Sequence, residues 1–145
     1  MITVALPKGR ILEEVIAYLN HCGLERYAEK LDPKSRLLFT DIDGIRFIFA
    51  KGQDVPIYVE SGIADLGFIG SDIITENKFD LLNVSQLPFG YCHFSLCALP
   101  GVEQFKTVAT TFKNITFQYF KEKKQQVKLI HLHGSVELAP LLGLA

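Results

Sequence analysis

No apolar run in this sequence approaches the roughly 20 residues of a membrane-spanning helix, so a membrane protein of the helical kind is not expected. Charge of one sign is also missing. Fifteen Lys+Arg stand against sixteen Asp+Glu for a net −1, which leaves no basic field of the kind that draws nucleic acid. Cysteine is sparse: Cys22, Cys92 and Cys97 form no C-x-x-C pair, so neither a zinc ribbon nor a redox motif is expected. Their odd number and unrelated spacing read as small apolar residues in a reducing compartment. The start, Met1-Ile2-Thr3-Val4-Ala5-Leu6, enters a strand-like segment with no basic region followed by a long apolar one, so no secretory leader is expected and the cytoplasm is the expected location. There is no G-x-x-x-x-G-K-[ST], no full G-x-G-x-x-G and no serine nucleophile elbow. Internal repeats and low-complexity tracts are likewise lacking.

What is present is an apolar, well-punctuated chain. Its 145 residues (16.3 kDa) are 48% hydrophobic and 21% charged, the balance of a soluble globular protein of one ordinary domain or two small lobes. Thr3–Leu6 reads as a strand. Ile11, Leu12, Val15, Ile16, Leu19 and Cys22 then share one helical face, with Gly23 as a stop. Arg36–Thr40 and Ile45–Ala50 flank Asp41-Ile42-Asp43-Gly44, a hairpin signal. Asp54 is placed to cap a helix with Pro56 in its first turn, ending at Gly62. Asp65–Gly70 reads as a buried strand, Ser71 or Asp72 as the cap of the next helix, and Leu81–Leu87 as a further strand. Pro88-Phe89-Gly90 suggests a boundary, giving lobes 1–88 and 89–145. Beyond it the spacing predicts strands over Tyr91–Leu99, Val108–Thr110 and Val127–Leu132, a helix capped by Asn114, and a final helix Val136–Leu142. Strands alternating with helices predict an α/β fold with mostly parallel sheet.

Three strand-to-helix turns carry glycine beside polar residues: Leu6-Pro7-Lys8-Gly9-Arg10, Gly67-Phe68-Ile69-Gly70-Ser71-Asp72 and His131-Leu132-His133-Gly134-Ser135-Val136-Glu137. In open α/β sheets ligands bind beyond the carboxyl ends of strands, where such turns gather. Helix N-termini there favour anions, and glycine lets backbone come close to a phosphate. Lys8-Gly9-Arg10 is the sharpest feature, because two cations sit at the positive end of a helix. It reads as a phosphate clamp, Lys as point charge and Arg as fork, or as two solvated surface cations. Lys51-Gly52-Gln53-Asp54 is a fourth turn of the same type. Asp72 could cap its helix, bond a nucleotide or hold a metal. Glu137 suits the first turn of a helix and could equally accept ribose hydroxyls. His131 and His133 alternate on a strand and share a face, with no Cys or carboxylate at ligand spacing, so no residue is put forward as a metal ligand.

Several of these motifs stand in one order and spacing. They are Leu6-Pro7-Lys8-Gly9-Arg10, Asp54-Val55-Pro56, the run Gly62-Ile63-Ala64-Asp65-Leu66-Gly67-Phe68-Ile69-Gly70-Ser71-Asp72, and Gly134-Ser135-Val136-Glu137-Leu138-Ala139-Pro140. Together the chain resembles the catalytic chain of ATP phosphoribosyltransferase, the enzyme family that opens histidine biosynthesis, and its Lys-Gly-Arg turn is similar to the short form. The resemblance implies a two-lobed fold similar to type II periplasmic binding proteins, with the site in the cleft. It implies a reaction joining N1 of ATP to C1 of phosphoribosyl pyrophosphate, expelling pyrophosphate with substrate-bound Mg²⁺. Arg10, Lys51 and Lys8 are the expected catalytic cations. Leu6, Gly9, Asp72, Cys92, Thr110, Gly134, Ser135 and Glu137 are the expected substrate contacts, Glu137 at the ribose hydroxyls. A homo-oligomer and a regulatory subunit resembling histidyl-tRNA synthetase are the implied partners.

The sequence departs from the family pattern in three places. Lys51 stands where many members carry Arg, so a fork becomes a point charge. Within Val108–Asn114, Thr111 replaces a lysine and Lys113 a proline. After Gly143-Leu144-Ala145 the family continues into an acidic-apolar strand and a Thr-Gly-x-Thr-Leu loop for the 5′-phosphate, so the second lobe is expected to be incomplete and the 145 residues to be a fragment of about 200, inactive alone. The competing readings are a non-catalytic small-anion-binding module and an inactive remnant of the same fold.

Overall fold

A computed structural model describes all of residues 1–145, and the chain divides into two compact units. The first comprises Met1–Ile74 with Lys78–Tyr91, the second Thr75–Asn77 with Cys92–Ala145. In the first unit β1 (Ile2–Pro7) leads through the Lys8-Gly9 turn into α1 (Arg10–His21) and a short α2 (Glu25–Ala28). The hairpin β2 (Phe39–Ile42) and β3 (Ile45–Ala50) follows, then a 3₁₀ turn Gly52–Asp54, α3 (Val55–Glu60), β4 (Leu66–Gly67) and the start of α4 (Ser71–Asn77). The sheet order is β2-β3-β1-β4. Strand β1 is parallel to both β3 and β4, and only the β2–β3 pair is antiparallel. The hairpin turn is the two-residue Asp43-Gly44, at φ 48° and 82°, as a tight hairpin requires.

Period-two alternation decides the packing. Val4 and Leu6 of β1 and Phe47 and Phe49 of β3 face one side, where Leu12 and Val15 of α1, Tyr27, Leu31 and Ile42 complete a core. Ala5 faces the other side and meets Val55 of α3 and Ala64, with Ile48, Ala50, Val59 and Ile69 around them. A sheet buried on both faces is the expected home of parallel strands. Each fully buried aliphatic side chain here contributes about 1.5–3 kcal/mol.

The second unit is built on β5 (Thr107–Thr110) and β6 (Lys128–His131), paired in parallel, with α5 (Lys113–Glu122) between them in sequence and α6 (Leu138–Leu141) after them. Val108, Phe120 and Ala139 are its buried apolar residues. Both units are therefore α/β, with sheets that are mostly parallel, as expected.

Several local expectations are corrected. Leu81–Leu87 and Tyr91–Leu99 are not strands. No backbone hydrogen bond joins residues 81–98 to a neighbour, and an alternating pattern makes a strand only when a ladder partner lies alongside. Strand β4 is two residues long and exposed rather than a buried run, because it is the edge of its sheet. Strand β2 starts at Phe39 instead of Arg36, since Asp32 and Ser35 side chains take the Lys34 and Leu37 amides into local turns. Asp54 makes no side-chain cap; its amide closes the 3₁₀ turn on Lys51 O at 2.9 Å. Gly70, not Ser71 or Asp72, is the N-cap of α4, and Phe112, not Asn114, that of α5. The last helix shrinks to Leu138–Leu141. All three cysteines are exposed rather than apolar filling; Cys22 lies one residue past the end of α1.

Candidate functional site

Strand register brings the expected cationic turns of the first unit together. Pro7 is opposite Ala50 in the β1–β3 ladder, and the Lys8 amide donates to Ala50 O at 3.0 Å. Lys8 and Lys51, 43 positions apart in sequence, therefore leave the carboxyl ends of adjacent parallel strands. A Cβ built on Gly52 would lie 3.9 Å from Pro7 Cβ and 3.7 Å from Ile69 Cδ1. The third turn joins them through β4: Gly67 is opposite Ala5, and the Phe68 amide donates to Ala5 O at 3.0 Å. The turns at 7–10, 51–54 and 68–72 thus share one end of one sheet, where α/β proteins place ligands.

The first turn has the properties of an anion seat. Gly9, at φ 88° and ψ −148°, occupies backbone space essentially reserved for glycine, and open space surrounds the position of its missing Cβ. No side chain caps α1. Lys8, Arg10 and Lys51 are all exposed. Arg10 Nε lies 3.7 Å from Glu14 Oε1 one turn along α1, an exposed pair of the kind that holds a side chain only weakly. The guanidinium remains available to a polyanion.

Leu6 is completely buried in the core, so the contact expected there is confined to backbone. Asp72 is half-buried, and its Oδ1 accepts the Ile73 amide at 2.9 Å. A Cβ on Gly70 would collide with the Asp72 carboxylate, so glycine at 70 sets where that carboxylate rests.

The remaining expected contacts belong to the second unit. Thr110 and His131 are partners at the ends of β5 and β6, and the Leu132 amide donates to Thr110 O at 3.0 Å. That register sets Thr110 and the turn through Gly134 and Ser135 at the carboxyl end of the pair. The Thr110 hydroxyl is already engaged: it accepts the Phe112 amide at 3.0 Å and shares a 2.9 Å bond with Thr116 Oγ1. Ser135 takes a left-handed turn at φ 48°. Gly134, Ser135 and Glu137 are exposed, as is Cys92. Glu137 also lines an apolar groove of about 700 Å³ with Phe94, Leu96, Phe105, Tyr119 and Phe120.

One contact had no signal in the sequence. Glu76 Oε1 and Oε2 accept the Asn114 and Ile115 amides, each at 2.9 Å, and Asn114 Nδ2 donates to Glu76 O at 2.8 Å. A carboxylate from 38 positions away thus supplies the anion that the N-terminus of α5 favours.

Comparison with known proteins converges on one family. The family model described as HisG, ATP phosphoribosyltransferase, matches residues 51–145. An ATP phosphoribosyltransferase of Staphylococcus aureus (strain bovine RF122 / ET3-1) is 42% identical over 139 residues, covering 96% of this chain and 68% of the relative. The Staphylococcus saprophyticus protein of the same name is 41% identical over 142 residues, covering 98% of this chain and 69% of its own. Among solved structures, the ATP phosphoribosyl transferase (HisG:HisZ) complex from Thermotoga maritima superposes with a TM-score of 0.70 at 31% identity, over all of this chain and 71% of that one. With glycine turns converging at one sheet end, and relatives above 40% identity matched over two thirds of their length, the chain belongs to the ATP phosphoribosyltransferase (HisG) family.

Proposed function

We propose that this chain carries the ATP phosphoribosyltransferase reaction: N1 of ATP attacks C1 of phosphoribosyl pyrophosphate, the C1–O bond breaks, and pyrophosphate leaves. This is the first step of histidine biosynthesis. The observation that carries the reading is the 3.0 Å bond from the Lys8 amide to Ala50 O, which sets the Lys8-Gly9-Arg10 and Lys51 turns side by side.

The chemistry asks for such an arrangement. Both substrates are polyanions and repel one another. As C1 becomes cation-like, negative charge grows on the departing pyrophosphate, and fixed cations aimed at it lower the barrier. Arg10 and Lys51 take this role with Lys8 beside them, while the open backbone at Gly9 and the uncapped start of α1 receive phosphate oxygens. Leu6 contributes backbone only. N1 of adenine is already a lone-pair nucleophile, so no side chain has to remove a proton from it. In the second unit Glu137 accepts hydrogen bonds from the ribose hydroxyls with Gly134 and Ser135 next to it, and Thr110 and the backbone at Cys92 are further substrate contacts; in the first unit Asp72 is a substrate contact. Mg²⁺ enters as part of the substrates, because it binds readily through phosphate oxygens.

The finer architecture belongs to the same reading: two lobes, 1–88 and 89–145, similar to type II periplasmic binding proteins. A homo-oligomer and a regulatory subunit resembling histidyl-tRNA synthetase are the proposed partners. The Thermotoga maritima neighbour, a HisG:HisZ complex, supports a second subunit. No helix is long and apolar enough to cross a membrane, and a cytoplasmic setting suits a biosynthetic enzyme.

The test is incubation with ATP, phosphoribosyl pyrophosphate and Mg²⁺, with and without a regulatory subunit, following the near-UV absorbance of the N1 adduct. Absorbance that rises and depends on both substrates is the expected result. No rise under either condition, from protein that still binds ATP, would reduce the chain to a binding module.

A further inference from the structure

The carboxyl end of β6 holds a pair of side chains that the phosphoribosyl reaction does not use. His131 and His133 are both exposed, and their ring centres are 5.0 Å apart with the planes at 64°. His131 ends β6 and His133 lies in the bend that follows it, where the two rings meet edge to face. Neighbouring backbone holds that segment in place: His131 is registered against Thr110, and the Leu132 amide between the two histidines donates to Thr110 O at 3.0 Å. Strand β5 therefore fixes His131 and the backbone that leads to His133.

We propose that His131 and His133 form a two-imidazole site for a first-row transition-metal ion such as Cu²⁺, Ni²⁺ or Zn²⁺. The spacing suits one shared ion. Two imidazoles bound to Zn²⁺ through nitrogen at about 2.0–2.1 Å, and at a near-tetrahedral angle, hold their ring centres about 5 Å apart. Imidazole nitrogen selects these ions over hard, oxygen-seeking Mg²⁺, so the site is chemically separate from Mg²⁺ carried by phosphates. With two protein ligands, the remaining coordination positions go to water. Cu²⁺ binds tightest, followed by Ni²⁺, in the usual order for divalent ions.

The test is titration of the full chain with Cu²⁺ and, separately, Ni²⁺ by calorimetry, together with electron paramagnetic resonance of the Cu²⁺ complex. Four variants are compared with the parent: His131→Ala, His133→Ala, His21→Ala and His93→Ala. Circular dichroism confirms that each is folded. One ion per chain is expected, with nitrogen superhyperfine structure from two imidazoles. Each of His131→Ala and His133→Ala should weaken binding at least about tenfold, while His21→Ala and His93→Ala leave it unchanged. A smaller loss in either of the first two variants, an equal loss in either of the last two, or a spectrum with a single nitrogen overturns the proposal.

Discussion

Gly67→Ala is the sharpest structural test of how the site is supported. Gly67 sits in β4, registered against Ala5, with α3 packed over it. A Cβ there would approach Val55 Cγ1 to 2.8 Å and Val59 Cγ2 to 2.9 Å. Neither methyl can yield easily, because valine in a helix has essentially one χ1 rotamer, and Val55 is completely buried. Nor can β4 withdraw freely, since the Phe68 amide is held to Ala5 O at 3.0 Å. Overpacking of this kind costs about 1–3 kcal/mol. Replacing glycine returns about 0.4–1 kcal/mol through the unfolded chain. The net loss should be about 1–2 kcal/mol, read as a lower urea midpoint at unchanged m-value. Val59→Ala removes one of the two obstructing methyl groups, so Gly67→Ala with Val59→Ala should be more stable than the sum of the singles by about 0.5–3 kcal/mol. A Gly67→Ala protein as stable as its parent, or strict additivity in the double variant, would refute the argument that α3 and β4 meet through glycine. The same substitution displaces the Phe68–Asp72 turn, so lost activity should accompany lost stability.

Arg10→Ala should lower kcat/KM about 10²–10³-fold if the guanidinium faces the leaving pyrophosphate, with Arg10→Lys intermediate; an unchanged rate in the steady-state assay removes Arg10 from the mechanism. Glu76→Gln should speed amide exchange at Asn114 and Ile115 and cost about 0.5–2 kcal/mol, the usual worth of a helix cap. Exchange indistinguishable from the parent would show that the carboxylate is not their partner. The two 2.7 Å hydrogen bonds from Arg46 to Asp41 hold the Asp41 carboxyl below the usual carboxylate range. Its stabilising effect is therefore complete above the unfolded value of about 3.9 and disappears as pH falls through the lower folded value. Asp41→Asn should destabilise the β2–β3 hairpin at neutral pH by an amount that shrinks as pH falls through the folded value, read by thermal melting, whereas an effect that stays constant as pH falls would exclude the ion pair as its cause.

Much of the site was legible because its signals are local. Lys8-Gly9-Arg10 and Asp43-Gly44 are short-range chemistry: a glycine conformation at a helix start and a tight turn follow from neighbours in sequence. The apolar stripe of α1 was legible for the same reason, its 3.6-residue period marking Leu12 and Val15 as core. The errors fall where the deciding partner is distant. Leu81–Leu87 reads as a strand and Tyr91–Leu99 alternates as one does, yet a local pattern cannot say whether another strand lies alongside. The start of α5 looked like a case for Asn114 as cap, but Glu76 satisfies it from 38 positions away.

By itself the sequence determined the class of fold, the charged glycine turns and the family to which they belong, since each rests on spacing along one chain. Only tertiary structure decided that β1 lies between β3 and β4, and hence that the Lys8 and Lys51 turns emerge side by side. The same holds for the Thr110 hydroxyl, which is taken up by the Phe112 amide and Thr116 Oγ1, and for His131 and His133, whose ring centres come within 5.0 Å of one another. Pairing of strands and closure of contacts are settled by which surfaces lose water together, and no local pattern of residues records that choice.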